Sequence, residues 1–494
     1  MCKSISEREM GMYERIKTEE EGGVCDGVGN GDDLEIAAAK VPTPTSVSLC
    51  IVGRSVLAPE HRQKNDTRLV SLDVFRGLSV ALMILVDDAG GLIPAINHSP
   101  WDGVTLADFV MPFFLFIVGV SLGLAYKKLE DRLVATRKAL LRALKLFLLG
   151  LFLQGGYFHP LGNLTYGLDV GRIRVMGILQ RIAVAYVLAA LSEIWLTKHV
   201  AVKSKSSIAT RYWSQWVMVI CLSAIYMLLL YGLTVTDWEY QIPFEASSYQ
   251  KLYKVKCGVR GDTGPACNVV GMIDRNLLGI HHLYKRPIYS RTKDCSINSP
   301  NYGPLPPNAP PWCLAPFDPE GLLSSVMAVV TCLVGLHFGH IIIHFKDHKD
   351  RTSHWVIASS CLLLVGLALS FLGMPVNKPL YTLSYMSVTA GAAGLLFTTI
   401  YLMVSYIVMD IDWLVYLILH SQINLESVCL KVLDLPQVDV IGIRWATKVL
   451  EWMGKHALTI YVLAASNLLP IILQGFYWRY PGNNILSLIG IRKS

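Results

Sequence analysis

The sequence predicts an all-α fold: a polytopic transmembrane helical bundle of about nine to ten spans, with a long disulfide-bearing loop on the non-cytosolic face. Three observations carry this. Hydrophobic residues make up 53% of the chain and charged residues only 16%, where soluble domains carry about a quarter charged. The apolar residues fall in runs long enough to cross a bilayer. Lys and Arg gather in alternate connections between those runs, as they do on the cytosolic side of membranes. The net charge of +7 is modest for 494 residues, and no basic and aromatic array argues for nucleic acid.

Residues 1–67 are polar and Gly-rich, with acidic runs at Glu19 to Glu21 and Asp32 to Glu35, and lack the basic, apolar and cleavage regions of a signal peptide. They read as a disordered cytosolic tail; Leu49 to Leu57 is apolar but too short to span, and Arg54 interrupts it. Spans are expected at 69–91, 105–126, 138–157, 175–196, 214–234, 320–345, 354–374, 381–409 and 446–475. These divide the chain into a transmembrane core at 68–411, which includes a long loop at 235–318, an unusual insertion at 412–440, and a C-terminal transmembrane part at 441–494.

Orientation follows from the short connections. Lys127, Lys128, Arg132, Arg137 and Lys138 lie between the second and third spans, Lys198, Lys203, Lys205 and Arg211 between the fourth and fifth, and Lys346, Lys349 and Arg351 between the sixth and seventh. These connections are expected in the cytosol. The connection at 92–104 holds no Lys or Arg and that at 375–380 only Lys378, which puts both, with the long loop, on the opposite face. Four of the 11 cysteines, Cys257, Cys267, Cys295 and Cys313, fall in the long loop, where two disulfides are expected with the pairing left open. Their spacings of 9, 27 and 17 intervening residues lack the CxxC knuckles of zinc modules. The sequon Asn163-Leu164-Thr165 lies on the expected non-cytosolic face and Asn65-Asp66-Thr67 does not.

Ionisable residues at membrane depth cost about 2.5 to 3.5 kcal/mol each on insertion scales, so they point to function. Asp73 and Arg76 open the first span, Asp87 and Asp88 close it, His98 lies in the hairpin, and Asp108 opens the second span. Asp73 and Arg76 share a helix face and read equally as an ion pair or as part of a coenzyme site. Arg181, one turn into the fourth span, needs an anionic partner. Asp108 is either that partner or a favourable charge at its own helix N-terminus. Adjacent His281 and His282 lack a third ligand at metal-site spacing.

At this point the motifs form a pattern. SLDVFRG at 71–77, HSPWDG at 98–103 followed by TLADFVMPFFLFIVGVSL, and GILQRIAVAY at 177–186 resemble the heparan-α-glucosaminide N-acetyltransferase family of multipass acyltransferases. GMIDRNLLGIHHLYKRP at 271–287, FDPEGLLSSVMAVV at 317–330 and NKPLYTLSYMSVTAGAA at 377–393 extend the likeness in the same order. The resemblance is to a shorter, plant- or bacterial-type member, and the stretch at 412–440 has no counterpart in it. It implies transfer of acetyl from acetyl-CoA to an amino sugar, or a sugar hydroxyl, on the non-cytosolic face. It also implies His98 as the active-site histidine; Asp87 and Asp88, about ten residues upstream, can fold back through the hairpin to orient the imidazole, and Asp87 departs from the Asn that the family has there.

Acyl transfer to an amine needs a base for the amine proton, a dry pocket for the thioester and donors to stabilise the tetrahedral oxyanion. A histidine can take the proton or the acetyl group itself. His98 and Asp87 are therefore the expected catalytic pair, and Arg76, Asp73 and Arg181 the expected coenzyme-binding residues, with no metal. The expected partners are the lipid bilayer, acetyl-CoA and a glycan or small amino-sugar acceptor, with a homodimer admitted. The expected location is an endomembrane of vacuolar or lysosomal kind, or the plasma membrane. Two other classes stay open: a multipass transporter or permease, which uses buried Asp and Arg equally well, and a catalytically inactive membrane scaffold, to which the insertion at 412–440 lends weight. Inverted internal repeats would favour transport.

Overall fold

Two glycine-bearing helices form the centre of the bundle. In the computed structural model, which describes residues 69–90, 96–126, 131–154, 173–197, 211–241, 252–284, 286–420 and 447–466, these are α2 (Leu106–Ala125) and α7 (Leu322–His344). The chain divides into Met1–Asp66 and Thr67–Ser494, and every described residue lies in the second unit. A methyl group placed on Gly119 would lie 2.0 Å from the Cys332 carbonyl oxygen, and one on Gly335 would lie 2.2 Å from that of Phe116. Gly123 and Gly339 meet one turn further along, so both helices carry a glycine every fourth residue and their backbones touch. In lipid, where apolar side chains gain little by leaving the bilayer, such close approach is what holds helices together.

Around this pair stand α1 (Val70–Ala89), α3 (Arg132–Gln154), α4 (Ile178–Leu196), α5 (Trp213–Gly232), α8 (His348–Phe371), α9 (Leu383–His420) and the short α10 (Ala457–Ala465). Six helical segments among the described residues have the length and apolarity to cross a membrane: α2, α4, α5, α7, α8 and the Leu383–Val404 part of α9. This is an integral membrane protein of helical class, as expected. α1 and α3 occupy expected spans but carry ionisable residues, at both ends in α1 and through the first half in α3. The apolar window of α7 is 89% buried, against 17% in α5 and in α8, which places α7 at the centre and the other two at the rim.

Three boundaries differ from expectation by six residues or more, the first being α3, which starts at Arg132 rather than near 138. α8 starts at His348 rather than near 354, because its polar first turns extend the helix beyond its apolar part. Arg351 turns back there, donating from Nε to the Phe345 carbonyl at 2.7 Å and from Nη2 to that of Ile342 at 3.2 Å, and so satisfies carbonyls left open at the end of α7. α9 continues past 409 to His420, into the stretch read as an insertion. The rest of that insertion, the expected tail, both sequons and the end of the last expected span lie outside the described residues.

The long loop between α5 and α7 is ordered by local structure. Strands β1 (Trp238–Gln241) and β2 (Leu252–Val255) pair antiparallel with Trp238 opposite Val255, and α6 (Val269–Leu278) follows, capped by Asn268. The cysteine pairing left open by the sequence is Cys257 with Cys267 and Cys295 with Cys313. The loop lies against the hairpin between α1 and α2: Trp101 donates its indole N–H to the Thr263 carbonyl at 3.0 Å and packs edge-on to Tyr289 and Phe317.

Candidate functional site

His98 sits in the α1–α2 hairpin, and α2 brings it a carboxylate by capping itself. Asp108 is the third residue of that helix, and its Oδ2 accepts the backbone N–H of Thr105 at 3.0 Å, the Thr105 hydroxyl at 3.0 Å and the Ser99 N–H at 3.1 Å. The other oxygen, Oδ1, lies 2.8 Å from His98 Nδ1. Four residues on, Pro112 lacks the N–H that would take the Asp108 carbonyl, and the Tyr385 hydroxyl donates to that carbonyl instead at 2.6 Å. The helix start is thus tied to α9 through a bond that the proline makes available.

The third member comes from the α8–α9 connection. Lys378 Nζ lies 2.8 Å from His98 Nδ1 and 3.2 Å from Asp108 Oδ1. Its loop is fixed by Asn377, which donates from its amide to the Trp101 carbonyl at 3.2 Å and Asp102 Oδ1 at 3.1 Å while its own oxygen accepts the Leu380 N–H at 2.8 Å. Gly103, at φ +92°, gives its N–H to the Val376 carbonyl at 2.8 Å, in a backbone conformation that a side chain would strain.

Two contacts meet at His98 Nδ1: the ionised Asp108 carboxylate only accepts and draws the imidazole proton there, whereas the Lys378 ammonium only donates and draws the lone pair there, so the tautomer is set by the balance of the two. The His98 side chain is half-buried and lines a cavity. Enclosure by protein and the nearby Lys378 charge hold the His98 pKa below its ordinary value of 6.5, outweighing the opposite pull of Asp108. The ring is therefore neutral at neutral pH.

The cavity measures about 510 Å³ and is lined by His98 and Lys378 with Asp87, Glu320, Arg76 and Tyr461 among mostly apolar side chains. Arg76 and Asp87 are eleven residues apart on α1, about 16 Å along its axis, so the cavity reaches through much of a bilayer half and beyond. Arg76 bonds Asp73 at 2.7 Å and the Ser121 hydroxyl at 3.0 Å. Glu320 joins Arg174, which also grips Asp318 with Nε at 2.8 Å and Nη2 at 2.5 Å.

The residues expected from sequence are brought together unevenly. His98, Asp87 and Arg76 line one cavity. The carboxylate on the His98 ring is that of Asp108, so the orienting contact expected of Asp87 is filled from the other side of the hairpin. Asp108 is not the partner of Arg181 either. Arg181 donates to the Pro319 carbonyl at 2.6 Å and to the Ser324 hydroxyl, and lies 5.4 Å over the Tyr381 ring. It is not among the cavity-lining residues, and Asp73 meets the cavity only through its partner Arg76. His282 is engaged by the Ile173 carbonyl at 2.7 Å. The sequence does not single out Lys378 or Glu320 as site residues; the signal for Lys378 is its standing alone in a short connection on the His98 face.

These features define a multipass membrane protein with a histidine, carboxylate and lysine cluster at one end of a largely apolar cavity. Comparison with known proteins places that class more closely. Residues 68–244 match the family model described as heparan-alpha-glucosaminide N-acetyltransferase, catalytic. The mouse protein named heparan-alpha-glucosaminide N-acetyltransferase is 29% identical over 377 residues, which cover 72% of this chain and 51% of that one. The human protein of the same name is 28% identical over 355 residues, covering 68% and 48%. The chain is similar to these two proteins over most of its own length and spans about half of theirs. The matched region contains α1 to α5, with His98 and Asp108; Lys378 lies beyond the family-model match.

Proposed function

We propose that the protein is an acetyl-CoA-dependent acetyltransferase that acts on an amino-sugar acceptor, with His98 Nε2 as the reactive base. The observation that carries this is the His98, Asp108 and Lys378 cluster opening into the cavity. The acceptor nitrogen attacks the thioester carbonyl while Nε2 takes its proton. The C–S bond then breaks, and the imidazolium returns that proton to the departing thiolate. Asp108 holds the ring with its proton on Nδ1 and stabilises the imidazolium. Lys378, on the same wall, supplies positive charge to the oxyanion. The apolar lining keeps water from the thioester, and Arg76 at the far end of the cavity attracts the coenzyme phosphates.

The proposed orientation puts the N-terminus and the basic connections in the cytosol and the His98 hairpin on the opposite, oxidising face. The packing of the disulfide-bearing loop on Trp101 supports it, since both then share one compartment. Coenzyme would enter from the Arg76 end and the acceptor from the His98 end. The test is acetyl transfer by the purified full chain in defined bilayers, with labelled acetyl-CoA and matched panels of amino sugars, their hydroxyl counterparts and unrelated amines. Saturable, amine-dependent transfer to a sugar is expected. Absence of acetyl-CoA binding by folded protein would reject the reading, and acceptor uptake without acetylation would move it to the transporter class.

A further inference from the structure

His98 and Lys378 stand 280 positions apart, and the segments that carry them meet at Asp102 and Asn377. These two residues face each other as an antiparallel bridge, beside which Gly103 gives its N–H to the Val376 carbonyl. Asn377 is fully buried, and each of its polar atoms is engaged. Its side-chain amide donates to the hairpin, at the Trp101 carbonyl and at Asp102 Oδ1. Its remaining groups hold its own turn: Oδ1 accepts the Leu380 N–H at 2.8 Å, the backbone N–H goes to the Thr382 hydroxyl at 3.1 Å, and the carbonyl accepts the Thr382 N–H at 3.2 Å. One side chain thus ties the two connections together.

Both ends of this pair lead to His98 Nδ1. Lys378 follows Asn377 by one peptide bond. On the other side the Asp102 carbonyl accepts the Ser99 hydroxyl at 2.6 Å, and the Ser99 N–H goes to Asp108 Oδ2 at 3.1 Å. The two arms differ in what else holds them. Asp108 Oδ2 also accepts the Thr105 N–H and hydroxyl, so the start of α2 keeps that carboxylate in place without help from the pair. The Lys378 ammonium ends a long side chain with much rotamer freedom to lose, and its only hydrogen-bonding or ionic partners among the described residues are His98 Nδ1 and Asp108 Oδ1. Its aim therefore depends on where its backbone is held.

We propose that Asn377 and Asp102 are positioning residues, a latch between the α8–α9 connection and the α1–α2 hairpin that sets the Lys378 ammonium on the His98 ring. The proposal rests on the reading of His98 as the base. The charged groups around that ring are Asp108 from α2, Lys378 from the α8–α9 connection and Arg291 from the long loop, with Asp87 and Glu320 on the cavity wall. Of these, Lys378 is the one whose backbone the latch holds. The latch also has a polarity: an amide donates and a carboxylate accepts. Asn377→Asp alone sets a carboxylate against the Trp101 carbonyl and the Asp102 carboxylate, all of them acceptors. Asn377→Asp with Asp102→Asn reverses donor and acceptor across the bridge and keeps the total charge.

The test is NMR titration of the His98 ring in the full chain carrying isotope-labelled histidine, its signal assigned as the one missing from His98→Ala, together with kcat for acetyl transfer. Lys378 lowers the His98 pKa, so Asn377→Ala, which releases that lysine, should make the ring titrate at higher pH and lower kcat about tenfold, the scale of one charge-assisted hydrogen bond. In the Lys378→Gln background the same substitution should add little to either effect, because it acts through that lysine. Asn377→Asp alone should be the most damaging, and adding Asp102→Asn should recover about tenfold in kcat. Asp102→Ala alters the exposed member of the pair, should move the titration the same way, and is decisive if no Asn377 variant folds. An unmoved titration in folded Asn377→Ala or Asp102→Ala, full additivity with Lys378→Gln, or no recovery in the exchanged pair would overturn the proposal. The titration needs no turnover, so a chain that transfers no acetyl would fail the functional reading while the latch is still tested.

Discussion

At the scale of single residues, the site turns on where one proton sits. Lys378 is the second cause, after burial, of the lowered His98 pKa, and Asp108 opposes it. A base that must be neutral to act loses its function as pH falls through its pKa, so the acid limb of the transfer rate should lie below pH 6.5. Lys378→Gln removes a cation that lowers the value, so the limb should move towards higher pH; the pH profile of kcat/KM measures it, and an unmoved or oppositely shifted limb would contradict the electrostatics described. His98 was legible in the sequence because its motif is specific, but its partners were not. Asp87 and Asp108 stand eleven residues before and ten after it, and sequence distance does not choose between them. The choice is made by the helix N-terminus, which turns the Asp108 carboxylate back towards the hairpin while Asp87 lies on the last turn of α1. Lys378 is 280 positions away, and only the α8–α9 connection brings it in.

At the scale of elements, the spans were legible from apolar runs, whereas their order of burial was not. α5, α7 and α8 read alike as apolar segments, and the glycines that let α2 approach α7 decide which is central. The cysteine quartet announced two bridges but not their pairing, which depends on the path of the β1–β2 hairpin and the turns after α6. The junction of α6 with α7 carries a pH-dependent element of its own. Asp274 is fully buried, with Oδ1 accepting the Leu322 N–H at 2.8 Å, and burial with Asp318 nearby raises its pKa from 3.8 to about 7. A carboxyl that the folded state prefers protonated contributes stability in full below its ordinary value, and that contribution is lost as pH rises through about 7. Asp274→Asn keeps the accepting oxygen and removes the ionisation. It should therefore melt above the wild type at pH 8 and close to it at pH 4; an equal or lower melting point at pH 8 would contradict this.

At the scale of the whole molecule, the claim is a largely apolar cavity with its chemistry at one end. The hairpin, the disulfide loop and the Lys378 connection are joined directly, so single cysteines introduced at Asn301 and Lys349 should label from opposite sides of sealed vesicles, with Asn301 on the non-cytosolic one. Labelling of both from one side would overturn the proposed topology. The most direct measurement of the central claim compares acetyl transfer and acetyl-CoA binding in wild type and His98→Ala, reconstituted side by side. Loss of the base should lower transfer by about 100-fold or more while coenzyme binding stays within a small factor of wild type. Transfer at the wild-type rate by His98→Ala would contradict it.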